Sequence, residues 1–273
     1  MARIEFGNDT SAMTRRRERD AIAIAGDYQA RALASPRAAQ RFWHAAKLRI
    51  IDRVAPPKAG ARIADAGCGS GVISAHLAAS GAQVVGFDSN PAAVEYGTRT
   101  YASANLRFVL GPFELIENEG PFDQLYCLEV LEHLYEEHAI EVLRLFARAS
   151  RPGAELFVTT PNARSAWPLI EWTLDRLQLV PTLDEAQHLT AFMRASLARA
   201  LQAAGWTVEE MGTFNGVAPF LAPVSERLAR AAEAVEFKTA RVMPWNLLYC
   251  RAILQVSDRD STTSTHPGAQ QHR

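Results

Sequence analysis

From Arg37 to Val54 the chain reads "RAAQRFWHAAKLRIIDRV", with apolar residues returning at helical spacing until Pro56-Pro57 stops them. An alternation then begins. "ARIADA" reads as a buried strand, Ser74 to Ser80 as a helix that Gly81 ends, and "AQVVGFD" as a second strand. Asn90 to Ala102 is helical with Pro91 in the first turn. "LRFVLG" and "FDQLYCLE" are strands, "HAIEVLRLFARAS" is an amphipathic helix, and Pro152-Gly153 leads into the strand "AELFVTTP". Strands that alternate with helices pair in parallel through right-handed crossovers, so the expected fold is α/β, with a doubly wound, mostly parallel, seven-stranded sheet. Ligands in such sheets sit at the carboxyl ends of the strands, near the switch point. Asp65, Asp88 and Glu129 all fall at predicted strand ends, so one fold carries three acids to one edge.

The pattern changes further on. "SAWPLIEWTLDRLQLV", residues 165–180, is a helical apolar segment with two tryptophans, and "RASLARALQAAGW" is another helix. "WTVEEMG" and "NLLYCRAILQV" read as two more strands, an antiparallel, hairpin-like pair at the sheet edge. The polar residues 257–273 lack an aliphatic period and are expected to form a disordered tail. "TRRRERD" near the start is a charge run, read as a solvated helix face. The expected organisation is an N-terminal helical cover (1–55), a ligand-binding domain (56–256) and the tail (257–273).

Composition narrows the class. The 273 residues are 48% hydrophobic and 22% charged, with a net charge of −1. That suits an ordinary globular protein and gives no basic surface for nucleic acid. Cys68, Cys127 and Cys250 are too few and too scattered for a disulfide framework, so reduced thiols and a cytoplasmic location are expected. No apolar run approaches the roughly 20 residues that span a bilayer, and no leader peptide is expected at the N-terminus.

The candidate chemistry begins at Asp65-Ala66-Gly67-Cys68-Gly69-Ser70-Gly71, between a strand and a helix. Glycines allow a sharp turn and a close ligand approach. Asp88 ends the next strand, where an acid can accept two hydrogen bonds from ribose hydroxyls. The dinucleotide fingerprint fails, because the sixth position is Val72 counted from Gly67 and Ser74 counted from Gly69. An acid instead precedes the first glycine by two positions. A carboxylate there repels a pyrophosphate but suits a ligand with an ammonium and a sulfonium group, which favours S-adenosylmethionine over NAD.

Taken together, "DAGCGSG", "VVGFDSNPAAVEYG", "FDQLYCLEVLEHL", "RPGAELFVTTPN" and "LARALQAAGW" resemble a class I S-adenosylmethionine-dependent methyltransferase, and most of all the ubiquinone-biosynthesis O-methyltransferase family. The likeness covers about Arg41 to Val256 and implies a Rossmann-like methyltransferase fold. It implies that Gly67, Gly69 and Gly71 lie under the methionine part of the cofactor, with Asp65 near its amino group through water. Asp88 would hold the ribose, Ser89 and Phe113 would border the adenine, and Leu128 would offer its backbone. The family's enclosing arginine is matched here by Lys47, with Arg49 close by.

"LEVLEHL" follows the strand ending at Leu128. If a helical turn begins there, Glu129 faces the same way as Glu132 and His133. Two carboxylates and an imidazole can bind a divalent metal, act as a general base with an orienting partner, or close the cofactor floor. The resemblance implies magnesium or a similar ion at these three positions, which would lower the pKa of a coordinated phenol. His188 resembles the family's histidine before the helix that caps the active site. Asn162 can line the pocket. His44, His76 and His138 read as surface or helix-packing residues, and Cys68 as a small buried filler.

These readings converge on an O-methyltransferase of a small phenolic, catechol-like or prenylated quinol acceptor, with Glu129, Glu132 and His133 handling the proton. The rivals are an N- or C-methyltransferase of another small-molecule pathway, an NAD-dependent oxidoreductase, and a non-catalytic binding protein. Residues 165–180 are open between core packing, a lid, and a peripheral contact with the inner face of a membrane. The sequence leaves the oligomeric state open.

Overall fold

Seven strands in the order β3-β2-β1-β4-β5-β7-β6 form one sheet in a computed structural model that describes residues 25–165 and 189–255. The central strands are β1 (Arg62–Ala66), β2 (Gln83–Asp88), β3 (Leu106–Leu110), β4 (Phe122–Leu128) and β5 (Ser150–Pro161), all paired in parallel. At one end of the sheet β6 (Trp206–Phe214) and β7 (Leu247–Leu254) run antiparallel, with β7 between β5 and β6 and β6 at the edge. Their antiparallel pairing was expected, but the connection is no hairpin. It carries two helices, Ala218–Leu221 and Glu226–Thr239.

Nine helices bear on the argument. α1 is Tyr28–Leu33, α2 Ala38–Val54, α3 Val72–Ala78, α4 Pro91–Tyr101 and α5 Leu115–Glu119. α6 is Glu136–Arg148, α7 Arg194–Ala203 and α8 Ala218–Leu221, and Glu226–Thr239 follows as α9. The inner strands are apolar almost throughout because helices cover both faces. One core packs α6 and α7 on β4, β5 and β7, with Val142, Leu143 and Phe146 from α6 and Leu197 and Leu201 from α7. The other holds α2 and α3 on the opposite face, with Ala46, Ile50 and Ile51 from α2 and Leu77 from α3. Ile50 and Ile51 are fully buried. Each contributes about 1.5–3 kcal/mol of apolar burial, enough to dock α2 firmly and so to fix the residues it carries.

β1 pairs with β2 on one side and β4 on the other, and the strand order reverses there. That is the switch point at which a crevice opens beyond the strand ends. Asp65 lies opposite Gly86 and Tyr126 in register, Asp88 ends β2, and Glu129 directly follows β4. The three acids thus share the carboxyl edge, as expected. "TRRRERD", most of the 165–180 segment, His188 and the 257–273 tail lie outside the described residues. Among the described residues, no helix is long and apolar enough to cross a membrane.

Candidate functional site

The glycine loop turns back on the sheet through three left-handed residues, Gly67 (φ 73°), Gly69 (φ 52°) and Gly71 (φ 82°). The amides of Gly67 and Cys68 both donate to the Phe87 carbonyl at 2.8 and 3.0 Å, which ties the loop to β2. A Cβ on Gly67 would meet Val130 Cγ2 at 2.4 Å, and one on Gly71 would meet Phe108 Cζ at 2.6 Å. Both positions therefore require glycine for space as well as for backbone angle. Gly69 differs. Its missing side chain faces the carboxamide of Gln29, 3.1–3.2 Å from where a Cβ would stand.

Asp88 holds the loop, and Asp65 holds the helix that follows it. Asp88 accepts from the Gly69 amide through Oδ2 and from the Asn90 amide through Oδ1, both at 2.8 Å. Burial raises its pKa, and the amides of Asn90, Gly69 and Ser89 pull it back down. Ser89 is exposed beside it. Asp65 is turned beneath the loop, where it accepts from Ser74 Oγ at 2.6 Å. Burial pushes it up to about 7 against the Ser74 hydroxyl, with the Asp88 charge adding to the rise.

Beyond β4 the structure departs from the expected helical turn. Glu129 is left-handed (φ 55°), and a short 3-10 turn covers only Leu131–His133. Glu129 is therefore not stacked one helical turn before Glu132 and His133. Its Oε2 accepts from Lys47 Nζ at 2.5 Å, and its Oε1 is buried without a partner. Glu132 is buried and accepts from Thr160 Oγ1 at 3.1 Å. Burial pushes its carboxyl up to about 8, and the Glu129 charge adds to the rise. The Glu132 carbonyl also receives the amides of Leu189 and Thr190 at 2.8 and 3.0 Å. His133 is buried in the same turn.

The magnesium set expected at Glu129, Glu132 and His133 does not fit this arrangement. One carboxylate is neutralised by a lysine, and the other is buried on a threonine. Among the described residues, no group of three His, Cys, Asp or Glu side chains is placed to hold a metal ion.

The cover of the site comes from α1 and α2. Lys47 and His44 lie one turn apart on α2, and the His44 ring meets Tyr28 of α1 edge-on at 5.6 Å. Gln29, Leu33, His44, Lys47, Val72, Ile73 and Leu128 line one narrow groove. Burial, with the Lys47 charge beside it, pushes His44 down to about 3, so the ring is neutral. Burial raises Tyr28, which senses both Lys47 and Glu129. Tyr28, Gln29 and His44 were absent from the sequence-derived site. Only His44 carried a signal, its spacing of three from Lys47.

The remaining candidates are placed as follows. Arg49 does not share Lys47's position, since it grips Glu233 of α9 through three contacts of 2.6–2.9 Å and stacks on Phe42. Asn162 is buried and ties the end of β5 to the chain entering β7, with Nδ2 donating to the Trp245 carbonyl at 2.8 Å. Phe113 is half-buried, with its ring edge-on to Phe146. His76 pairs with Asp52 at the surface at 2.7 Å. The Cys68 thiol is pushed well up by burial, as a filler should be.

A family model described as "Methyltransferase domain" matches residues 37–211. The ubiquinone biosynthesis O-methyltransferase of Xanthomonas oryzae pv. oryzae is 37% identical over 112 residues, 40% of this chain and 46% of the relative, so the chain matches just under half of that protein's length. The protein of the same description from Xylella fastidiosa strain 9a5c is 31% identical over 184 residues, 64% of this chain and 74% of the relative. The fold is also that of magnesium protoporphyrin IX methyltransferase from Synechocystis PCC 6803 with bound SAH (TM-score 0.53, 18% identity, covering 91% of this chain and 95% of that one). At that identity the likeness concerns the fold alone.

Proposed function

The chain belongs to the methyltransferase domain family, and from that premise we propose that it moves a methyl group from S-adenosylmethionine to an oxygen of a small phenolic acceptor, catechol-like or a prenylated quinol. The observation that carries the reading is the left-handed glycine loop held by Asp88 through the Gly69 amide, with Asp65 buried on Ser74 at the end of the strand before it and Lys47 in the groove alongside. The acceptor class rests on the relatives that share its sequence.

When bound, the cofactor supplies a methyl group on a positively charged sulfur, open to in-line attack by an oxygen nucleophile. The chain's own residues do the rest. Asp88 receives the ribose hydroxyls, held still by the Gly69 and Asn90 amides. Gly67, Gly69 and Gly71 leave room for the methionine part, and Asp65 acts on it from below through water. Ser89 and Phe113 border the base, and Leu128 offers its backbone. The helices within 28–54 form the cover, and Lys47 closes the groove over the domain that begins at residue 56. The cover over the groove excludes water and positions the acceptor oxygen.

Glu132, pushed up to about 8, exchanges a proton with the acceptor hydroxyl. Its value lies close enough to that of a phenol, about 10, for proton transfer to be nearly balanced. Glu129 and His133 set the polarity around it, and the described residues offer no metal site for the step.

The test is transfer of labelled methyl from S-adenosylmethionine to prenylated and unprenylated catechols, with and without EDTA. Transfer that survives EDTA is the expected result. Transfer abolished by EDTA would overturn the metal-free chemistry. No transfer to any phenol, despite cofactor binding, would overturn the acceptor class.

A further inference from the structure

Beyond β4 the sheet no longer holds the chain. The Glu129 amide still donates to the Thr159 carbonyl of β5 at 2.9 Å, and the left-handed Glu129 then turns the backbone away. The 3-10 turn that follows, Leu131–His133, ends at an extended Leu134 and does not run on into α6. The carbonyls at the end of so short a turn find no partner within it. Those of Glu132 and Leu134 belong to residues each 2% exposed, and a buried carbonyl without a donor is costly.

Residues 189–192 supply the donors. The amides of Leu189 and Thr190 fill both lone pairs of the Glu132 carbonyl at 2.8 and 3.0 Å, and Thr190 Oγ1 donates to the Leu134 carbonyl at 2.6 Å. The Phe192 carbonyl accepts from the Ala163 amide at 2.9 Å, and the Phe192 ring is buried in the core that α6 and α7 share. The chain leaving β5 therefore receives this strap at Ala163, and three residues earlier it carries the Thr160 hydroxyl that Glu132 binds. The contacts close a circuit, from the Glu132 carboxyl to Thr160, from Ala163 to Phe192, and from Thr190 back to the Glu132 carbonyl. Side chain and backbone of one residue are held by pieces that are tied to each other.

We infer that the strap 189–192 is a positioning element of the active centre and that Thr190 is its positioning residue, fixing the turn so that Glu132 meets the acceptor hydroxyl from one place. The inference rests on the reading of Glu132 as the group that exchanges the acceptor's proton. Leu189, Ala191 and Phe192 have no polar side chain, so Thr190 alone can add to the strap's backbone contacts. A group held in one orientation speeds the chemical step without tightening the binding of either substrate, so the effect belongs in kcat.

Thr190→Val removes the hydroxyl and keeps the shape, and Thr190→Ser keeps the hydroxyl. Thr213→Val is the control, because Thr213 Oγ1 donates to the Met243 carbonyl at the same 2.6 Å but on the edge strand β6. Each full-length variant is assayed for methyl transfer to a catechol, for S-adenosylhomocysteine affinity by calorimetry, and for amide hydrogen exchange over residues 131–134. Thr190→Val should lower kcat about tenfold, as loss of one buried hydrogen bond allows, and speed exchange at the His133 and Leu134 amides. KM and S-adenosylhomocysteine affinity should stay as in wild type. Thr190→Ser should behave as wild type, and Thr213→Val should keep its kcat. In a Glu132→Gln background Thr190→Val should lower kcat no further, because it acts through Glu132. Wild-type kcat or wild-type exchange in Thr190→Val overturns the positioning role. So does a loss shared by Thr190→Ser or Thr213→Val, or an equal loss in the Glu132→Gln background, and in each case the reading of Glu132 survives. A Glu132→Gln protein that turns over at the wild-type rate would instead sink the reading of Glu132, and the inference with it.

Discussion

Replacing Glu132 by Gln should stabilise this protein, and should do so only at high pH. Glu132 is buried, its carboxyl is pushed up from an ordinary 4.5 to about 8 by burial and by Glu129, and it accepts from Thr160 Oγ1 at 3.1 Å. Between those two values the folded chain holds a proton that the unfolded chain has released. Stability therefore falls as pH rises through that window, and the loss is complete above about 8. At about 1.4 kcal/mol for each pH unit of the gap, the ionised group destabilises the fold by up to about 5 kcal/mol. Local relaxation and water entry bring the expected figure to about 3 kcal/mol. Gln keeps the shape and the acceptor for Thr160 but never ionises. Asp65, also raised, is present in both proteins and cancels in the difference. Urea unfolding at pH 5 and pH 9 should show the two proteins within about 1 kcal/mol at the lower pH and Glu132→Gln ahead by about 3 kcal/mol at the higher. Stability profiles that stay parallel across the range would refute the buried, protonated Glu132.

The same residue should shape the rate. Methyl transfer by wild type should rise with pH through about 8 as Glu132 ionises, and Glu132→Gln should fall by roughly 10²–10⁴ and lose that rise. A variant that keeps the wild-type profile excludes Glu132 as the base. Lys47→Met leaves a partly buried carboxylate unpaired, so it should lose about 1–3 kcal/mol of stability and weaken S-adenosylhomocysteine binding, as read by urea midpoints and calorimetry. Arg49→Ala should lose a similar stability with the Glu233 clasp yet leave ligand affinity unchanged, and weakened affinity there would put Arg49 back at the site. Gly67→Ala combines a left-handed backbone with a contact to Val130 and should cost about 2–4 kcal/mol on urea unfolding.

Much of this was legible in the chain. The alternation of apolar runs and helical patterns marks the parallel strands, because strands covered on both faces must be apolar throughout. The acids at strand ends and the clustered glycines stand out against that background. The helices between β6 and β7 did not stand out, for a physical reason. The buried residues of α9 are Ala229, Glu233 and Glu236, two of them carboxylates that find Arg49 and the amides of Gly216 and Ala218. A hydrophobic period cannot reveal a face whose buried members are charged.

The cluster after β4 was misread for a related reason. The spacing of Glu129, Glu132 and His133 satisfies a helix, but the chain leaves β4 through a left-handed residue and turns helical only at Leu131. The pull on Glu129 comes from Lys47, 82 positions away in sequence. Local pattern determined which segments are strands, where the loop must be glycine, and which three acids reach one edge, because each of those depends on neighbours within a turn or a strand. Tertiary structure alone decided that Asp65 faces inward to Ser74, that Glu129 answers a lysine, and that Gln29 lies over Gly69. Those are contacts between elements, and a side chain's partner and protonation are set by what the whole fold packs against it.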